Sequence, residues 1–161
     1  MLALFGIGVY KPIAGARAGD VAPEFTLKNQ DGVEVSLKSL LGDKPLVLAF
    51  YPRANSPICT RQMCSLRDHD EELRTRARLV GISYSSVANM QRFINELGLK
   101  MDMLSDADKS VARKYGAYGW FAPARVTFVI DKAGIIRAVI SSVSASTHAE
   151  QVLAALNDAG D

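Results

Sequence analysis

The sequence predicts an α/β domain built on one mixed sheet with helices on both faces. Three observations carry this reading. Leu46-Val-Leu-Ala-Phe50 is an unbroken apolar run between Pro45 and Pro52, the pattern of a strand buried on both faces. Arg78-Leu-Val-Gly-Ile-Ser83 repeats the pattern after a helical segment, so strands and helices alternate. Val126-Thr-Phe-Val-Ile130 and the run from Ile135 to Ile140 flank the turn Asp131-Lys-Ala-Gly134, which adds an antiparallel pair.

The remaining elements follow in chain order. Gly19-Asp-Val-Ala-Pro23 marks the start of the domain, which leaves residues 1–18 as an N-terminal extension and 19–161 as the folded unit. Phe25-Thr-Leu27 and Val33-Glu-Val-Ser-Leu37 flank Asp31-Gly32, a strong hairpin signal. A helix is expected from about Cys59 to Arg76, with Pro57 near its start. A second runs from Val87 to Leu97, closed by Gly98. Met103-Leu104 reads as a short strand, and Ser110–Tyr115 as a short helix ending at Gly116. Thr147-His-Ala-Glu150 has the form of a capping box opening a last helix to about Asn157. No repeat, low-complexity tract or linker divides the chain.

Composition narrows the function. The chain has 161 residues, 48% hydrophobic and 22% charged, enough to bury a core without staples. A formal charge of +2 is too mild to argue for nucleic acid or an anionic membrane as the main partner. Met1–Tyr10 is apolar, and Ala14-Gly-Ala16 has the small residues of a cleavage site. Yet no Lys or Arg precedes Lys11, and ten apolar residues are too few to span a bilayer. The expectation is a tail or short strand packed on a cytoplasmic domain, with export or a weak anchor as the alternative.

The two cysteines are the main chemical signal. Cys59 and Cys64 are the only ones, far too few for a disulfide framework. Cys59 falls in the first turn of its predicted helix, where unpaired N–H groups and the macrodipole favour an anion. A thiol there has a depressed pKa and is more nucleophilic at neutral pH. Cys64 lies five residues on, about 140° around an intact helix and about 7.5 Å along it. That separates the Cα atoms by about 8–9 Å, whereas a disulfide needs them within about 7 Å. The pair therefore cannot bond while the helix stays formed. Such spacing lets the first cysteine act alone on a small oxidant and meet the second only once the helix start has opened. The sequence of states is thiolate, sulfenic acid, then a disulfide that prevents over-oxidation.

Pro52-x-x-x-Ser56-x-x-Cys59 resembles the active-site pattern of the peroxiredoxins, and a second cysteine five positions on is similar to their peroxiredoxin Q, or bacterioferritin comigratory, group. Gly19-Asp20-x-Ala22-Pro23-x-Phe25-x-Leu27, Leu66-Arg67-Asp68 and Arg125-x-Thr127-Phe128-x-Ile130-Asp131 extend the resemblance from about Gly19 to Asn157. It implies a thioredoxin-like fold with an N-terminal β-hairpin extension. It also implies a thiol peroxidase that reduces hydrogen peroxide and organic hydroperoxides. In that scheme Cys59 is peroxidatic and Cys64 resolving, Ser56 bonds the peroxide, Pro52 shields the pocket, and Arg125 holds thiolate and peroxide. A thioredoxin or similar dithiol would recycle the disulfide. No metal, haem or flavin is implied, and a monomer is expected over a dimer. The chain departs from the family at Ile58, usually Gly, at Gln62, often Glu, and at Leu66, commonly Phe.

Other residues receive plainer expectations. His69 and His148 lack zinc-ligand spacing to the cysteines and read as solvated helix residues. Arg74, Arg76 and Arg78 read as a solvated face, and Met63 as packing. Trp120-Phe121 either walls the pocket or packs the core. Two rival functions remain at this stage. One is a thiol–disulfide oxidoreductase, disfavoured by the absence of Cys-x-x-Cys; the other is a non-enzymatic redox sensor.

Overall fold

Two hydrophobic layers organise the chain, one on each face of a seven-stranded sheet. The structure, a computed structural model, describes residues 16–52 and 57–159, the side chains of 57–59 excepted. Its strands are β1 (Thr26–Asn29), β2 (Glu34–Ser36), β3 (Leu46–Phe50), β4 (Arg78–Ser83), β5 (Asp102–Ser105), β6 (Val126–Ile130) and β7 (Ile136–Ile140). Their order across the sheet is β2-β1-β5-β4-β3-β6-β7. β3, β4 and β5 run parallel, while β1 joins β5 and β6 joins β3 antiparallel. The sheet is mixed, as expected, and the fold is that of thioredoxin-like proteins.

Strand alternation sorts side chains between the layers. Leu46, Leu48 and Phe50 of β3 point to one face with Val126, Phe128 and Ile130 of β6. There α1 (Leu37–Leu40) and α5 (Ser110–Tyr115) cover them, and Tyr115 meets Phe50 and Phe128 at ring-centroid distances of 5.7 and 5.2 Å. Val47 and Val129 point to the other face, under α2 (Pro57–Asp68), α3 (Asp70–Arg76), α4 (Val87–Leu97) and α6 (His148–Ala159). Both faces of β3 are thus apolar, which is why its sequence shows no alternation.

Local chemistry sets the turns. Asn29 Oδ1 accepts from the backbone N–H groups of Asp31 and Val33, and Gly32 takes φ 75° in the β1–β2 hairpin. Gly98 closes α4 at φ 66°, the left-handed conformation that glycine adopts without a Cβ penalty. Asp20 and Ala22 bond to Ile136 and Gly134, and Ala16 N–H donates to Tyr115, so the segment before β1 is tied to the domain. The expectations for Met1–Gly15 fall outside the described residues. Among those described, no helix is long and apolar enough to cross a membrane.

Four sequence readings need correction. The helix expected from Cys59 to Arg76 is two, broken at His69, where φ −109° and ψ 17° leave the helical region. His69 Nδ1 lies 3.0 Å from the Ser65 carbonyl oxygen, so its ring caps the end of α2 instead of pointing free into solvent. Helix α1 was not foreseen, although Ser36 and Ser39 form its capping box. Finally, Thr147 does not cap α6. It lies in a 3₁₀ turn, Ala145–Thr147, where its Oγ1 donates to Ser144 Oγ.

Candidate active site

The carboxyl end of β3 and the amino end of β6 meet at the site. β3 passes through buried Tyr51 and half-buried Pro52 and re-enters regular structure at Pro57, the first residue of α2. Proline fits there because its missing N–H has no partner at that position and its φ is preset for helix. Cys59 is therefore the third helical residue, within the turn whose N–H groups lack intrahelical partners. No acidic residue occupies that turn, so no carboxylate competes for its positive potential. Ser56 and the side chains of Ile58 and Cys59 lie outside the description, so the expectations for them are not addressed by it.

Antiparallel register supplies the arginine. Phe50 pairs with Val126, which sets Arg125 beside the end of β3 where the chain leaves for α2. Arg125 Nη1 donates to Gln62 Oε1 at 2.5 Å. Gln62 is three residues past Cys59, so it occupies the same helix face one turn further in. It is fully buried, and because a guanidinium can only donate, its amide oxygen must face Arg125. Among the described residues its Nε2 has no hydrogen-bond partner, an arrangement that costs about 1–3 kcal/mol. The sequence reading registered Gln62 only as a departure from a family pattern.

Past Gln62 the helix is anchored on every side. Met63 and Leu66 are buried in the core, so packing, as expected, accounts for Met63. Ser65 Oγ accepts from Ala149 N–H at 3.0 Å, and Arg67 donates to the Leu97 carbonyl at 2.9 Å. Cys64 is a free, half-buried thiol on this anchored part. It shares one uninterrupted helix with Cys59, the arrangement for which the spacing argument forbids a disulfide.

His148 contradicts the expectation of a solvated residue, being completely buried. Its Nε2 lies 3.1 Å from Thr127 Oγ1 and its Nδ1 3.4 Å from Gln151 Oε1. Burial, reinforced by the charge of Arg125 and opposed by the Gln151 bond, pushes its pKa down to about 4 from 6.5. An unfolded chain then takes up this proton first as pH falls. The stabilisation is complete above pH 6.5 and is lost between there and about 4, to a total of about 3 kcal/mol. Asp106, whose pKa burial raises, acts in the opposite direction but is shared by any variant at position 148. Denaturant titrations across this window should show wild type losing more stability than His148→Gln. Equal losses would show that His148 does not govern the acid response.

The loop before Arg125 is clamped from the side. Tyr84 Oη donates to the Gly119 carbonyl at 3.1 Å, and Lys109 Nζ to that of Trp120 at 2.8 Å. Gly119 admits no side chain, since a Cβ there would clash with the Ala122 carbonyl oxygen. Trp120 and Phe121 are 72% and 91% exposed, so neither packs the core. A cavity of about 680 Å³ opens at the opposite end of the sheet, against Lys44 before β3 and Arg78 at the start of β4. Two ion pairs lie in its lining: Arg74 pairs with Asp70 at 3.2 Å and Arg78 with Asp102 at 3.4 Å.

Known proteins are similar to this chain in sequence and fold. The AhpC/TSA family pattern matches residues 18–139. A peroxiredoxin bcp of Helicobacter pylori is 39% identical over 147 residues, spanning 86% of this chain and 96% of its own. Peroxiredoxin Bcp of Escherichia coli is 36% identical over 146 residues, spanning 85% and 93%. The crystal structure of peroxidoxin BcpB from Mycobacterium tuberculosis superposes with a TM-score of 0.85 at 36% identity, covering 91% of this chain and 99% of that one.

Proposed function

Since the chain belongs to the AhpC/TSA family, as a thiol-dependent peroxidase of the Bcp and peroxiredoxin Q type, we propose that Cys59 is its peroxidatic cysteine and Cys64 its resolving cysteine. The observation that carries the assignment is the Arg125–Gln62 hydrogen bond, which holds a guanidinium one helical turn from Cys59. The Cys59 thiolate attacks one oxygen of the peroxide. The O–O bond breaks, the departing oxygen leaves as water or alcohol with a proton, and Cys59 becomes a sulfenic acid. Arg125 stabilises the thiolate beforehand and the charge that develops on the leaving oxygen, with donors already in place. Ser56 donates to the peroxide, and Pro52 limits water at the sulfur.

The peroxide is then fully reduced, and resolution shares the oxidation between the two cysteines. The Cys64 sulfur attacks the Cys59 sulfenic sulfur, water leaves, and a disulfide forms within the chain. An external dithiol of thioredoxin type then takes up the disulfide by exchange, itself becoming oxidised. A monomeric, cytoplasmic protein belongs to the same proposal, supported by a cycle that needs only one chain and a reducing surrounding.

Intact mass after one equivalent of hydrogen peroxide, without reductant, tests the two roles. Wild type should lose ~2 Da within seconds, and Cys64→Ser should instead gain one oxygen at Cys59. No change in either protein on that timescale would rule out Cys59 as an activated thiolate.

A further inference from the structure

We propose that His148 is a positioning residue for the peroxide step, acting through Thr127 on Arg125 and through its neighbour Ala149 on the cysteine helix. The proposal rests on the assignment of Arg125 to the peroxide site. It starts from the hydrogen-bond directions around a buried imidazole that the reaction cycle does not itself use.

Gln151 fixes the tautomer. Its Nε2 donates to the Ser142 carbonyl at 2.8 Å and its Oε1 accepts from Ser144 N–H at 2.8 Å, so the amide has one orientation. The oxygen facing His148 Nδ1 can only accept, which places the ring proton on Nδ1. In a neutral ring Nε2 is then an acceptor, and the Thr127 hydroxyl must donate to it. Thr127 is fully buried, the second residue of β6, and lies two residues past Arg125, which precedes the strand. A bonded, β-branched side chain has little rotamer freedom, so this contact fixes the start of β6 from the helical side. The low pKa of His148 agrees with a ring that stays neutral beside Arg125.

The adjoining residue grips the other half of the site. Ala149 N–H donates to Ser65 Oγ, beside Cys64 on α2. Gln62 of the same helix accepts from Arg125. These contacts form a closed circuit from Arg125 along β6 to Thr127, across His148 and Ala149 to Ser65, and back through Gln62. The start of α6 thereby sets the spacing between the arginine strand and the cysteine helix. Reaction rates fall steeply when a reacting group is misplaced by about 1 Å, so a loosened joint is visible as slower chemistry.

The test is the second-order rate of Cys59 oxidation by hydrogen peroxide, followed by rapid quench and intact mass, with and without Arg125→Ala. His148→Phe and Thr127→Val should each slow oxidation by about tenfold. His148→Gln, which can still accept from Thr127, should restore the rate to within about twofold. Because Thr127 acts through the arginine alone, Thr127→Val should not slow the reaction further once Arg125 is alanine. Thr127→Val conserves volume and decides the matter if His148→Phe fails to fold. If Arg125→Ala slows the reaction but Thr127→Val does not, the positioning role is wrong and the peroxide site stands. Slowing by Thr127→Val that persists in full in the Arg125→Ala background also overturns the role, since it would mean general loosening of the fold. If Arg125→Ala itself leaves the rate unchanged, the assignment of Arg125 fails, and the proposal fails with it.

Discussion

Replacing Arg125 with alanine will slow the reaction of Cys59 with hydrogen peroxide by about 10²–10³-fold, the usual cost of removing one preorganised donor from a site where charge develops. Two effects combine in that loss. On the proposed assignment the guanidinium lowers the pKa of the thiol through its charge, and its fork of N–H groups holds the peroxide along the line of attack. A pH titration of the thiolate absorbance separates them. In Arg125→Ala the titration should move to higher pH, and the rate should remain depressed even where Cys59 is fully ionised. Arg125→Lys retains a cation but not the planar fork, so it should recover the ionisation better than the rate. If the rate returned to the wild-type value at high pH, Arg125 would act on the thiol alone. An unchanged rate at every pH would remove it from the site.

The arginine shows what the sequence made legible and what it did not. Its proposed role rests on its place in a motif, because an isolated Arg125 at the head of a strand looks like a surface residue. What the motif could not convey is its partner. Gln62 lies 63 positions away in the chain and stood out only as a glutamine where related proteins often carry Glu. The two meet because β6 enters the sheet antiparallel to β3. Pairing order is a property of the whole sheet, and no local pattern records it.

His148 was misread for the opposite reason. Thr147-His-Ala-Glu150 satisfies a local rule for helix starts, and local rules assume a solvated terminus. In the fold that terminus is buried against α2 and β6, where Ser65 supplies the capping oxygen that Thr147 was expected to supply. Tertiary contacts replaced the local cap and drew the imidazole inward. The strands and the turns at Gly32, Gly98 and Gly116 were legible because apolar runs and left-handed glycines owe little to distant partners. The break at His69 was not, since it depends on the side chain meeting a carbonyl in its own helix.

Oxidation by one equivalent of peroxide will open the first part of α2 and leave the rest in place. On the intact helix the two Cα atoms are about 8–9 Å apart and the side chains point about 140° away from each other, so no disulfide can form without unwinding. Which end yields follows from the anchors. Met63 and Leu66 are buried, Ser65 is bonded to α6, and Arg67 is bonded to the end of α4. Cys64 is therefore held, and Cys59 must travel to it. Hydrogen exchange of the oxidised wild type should show the amides from about Cys59 to Cys64 exchanging at least about a hundredfold faster than in the reduced protein, with those of Leu66–Asp68 little changed. Oxidised Cys64→Ser, which has no disulfide to form, should keep the protection of the reduced helix. A protein that forms the disulfide with full protection along α2 would show the cysteines meeting by some route other than unwinding. If the expected pattern holds, the opening also separates Gln62 from Arg125. The site that activates the thiolate is then taken apart by the step that resolves it, and only reduction of the disulfide lets the helix, and the arginine's grip on it, form again.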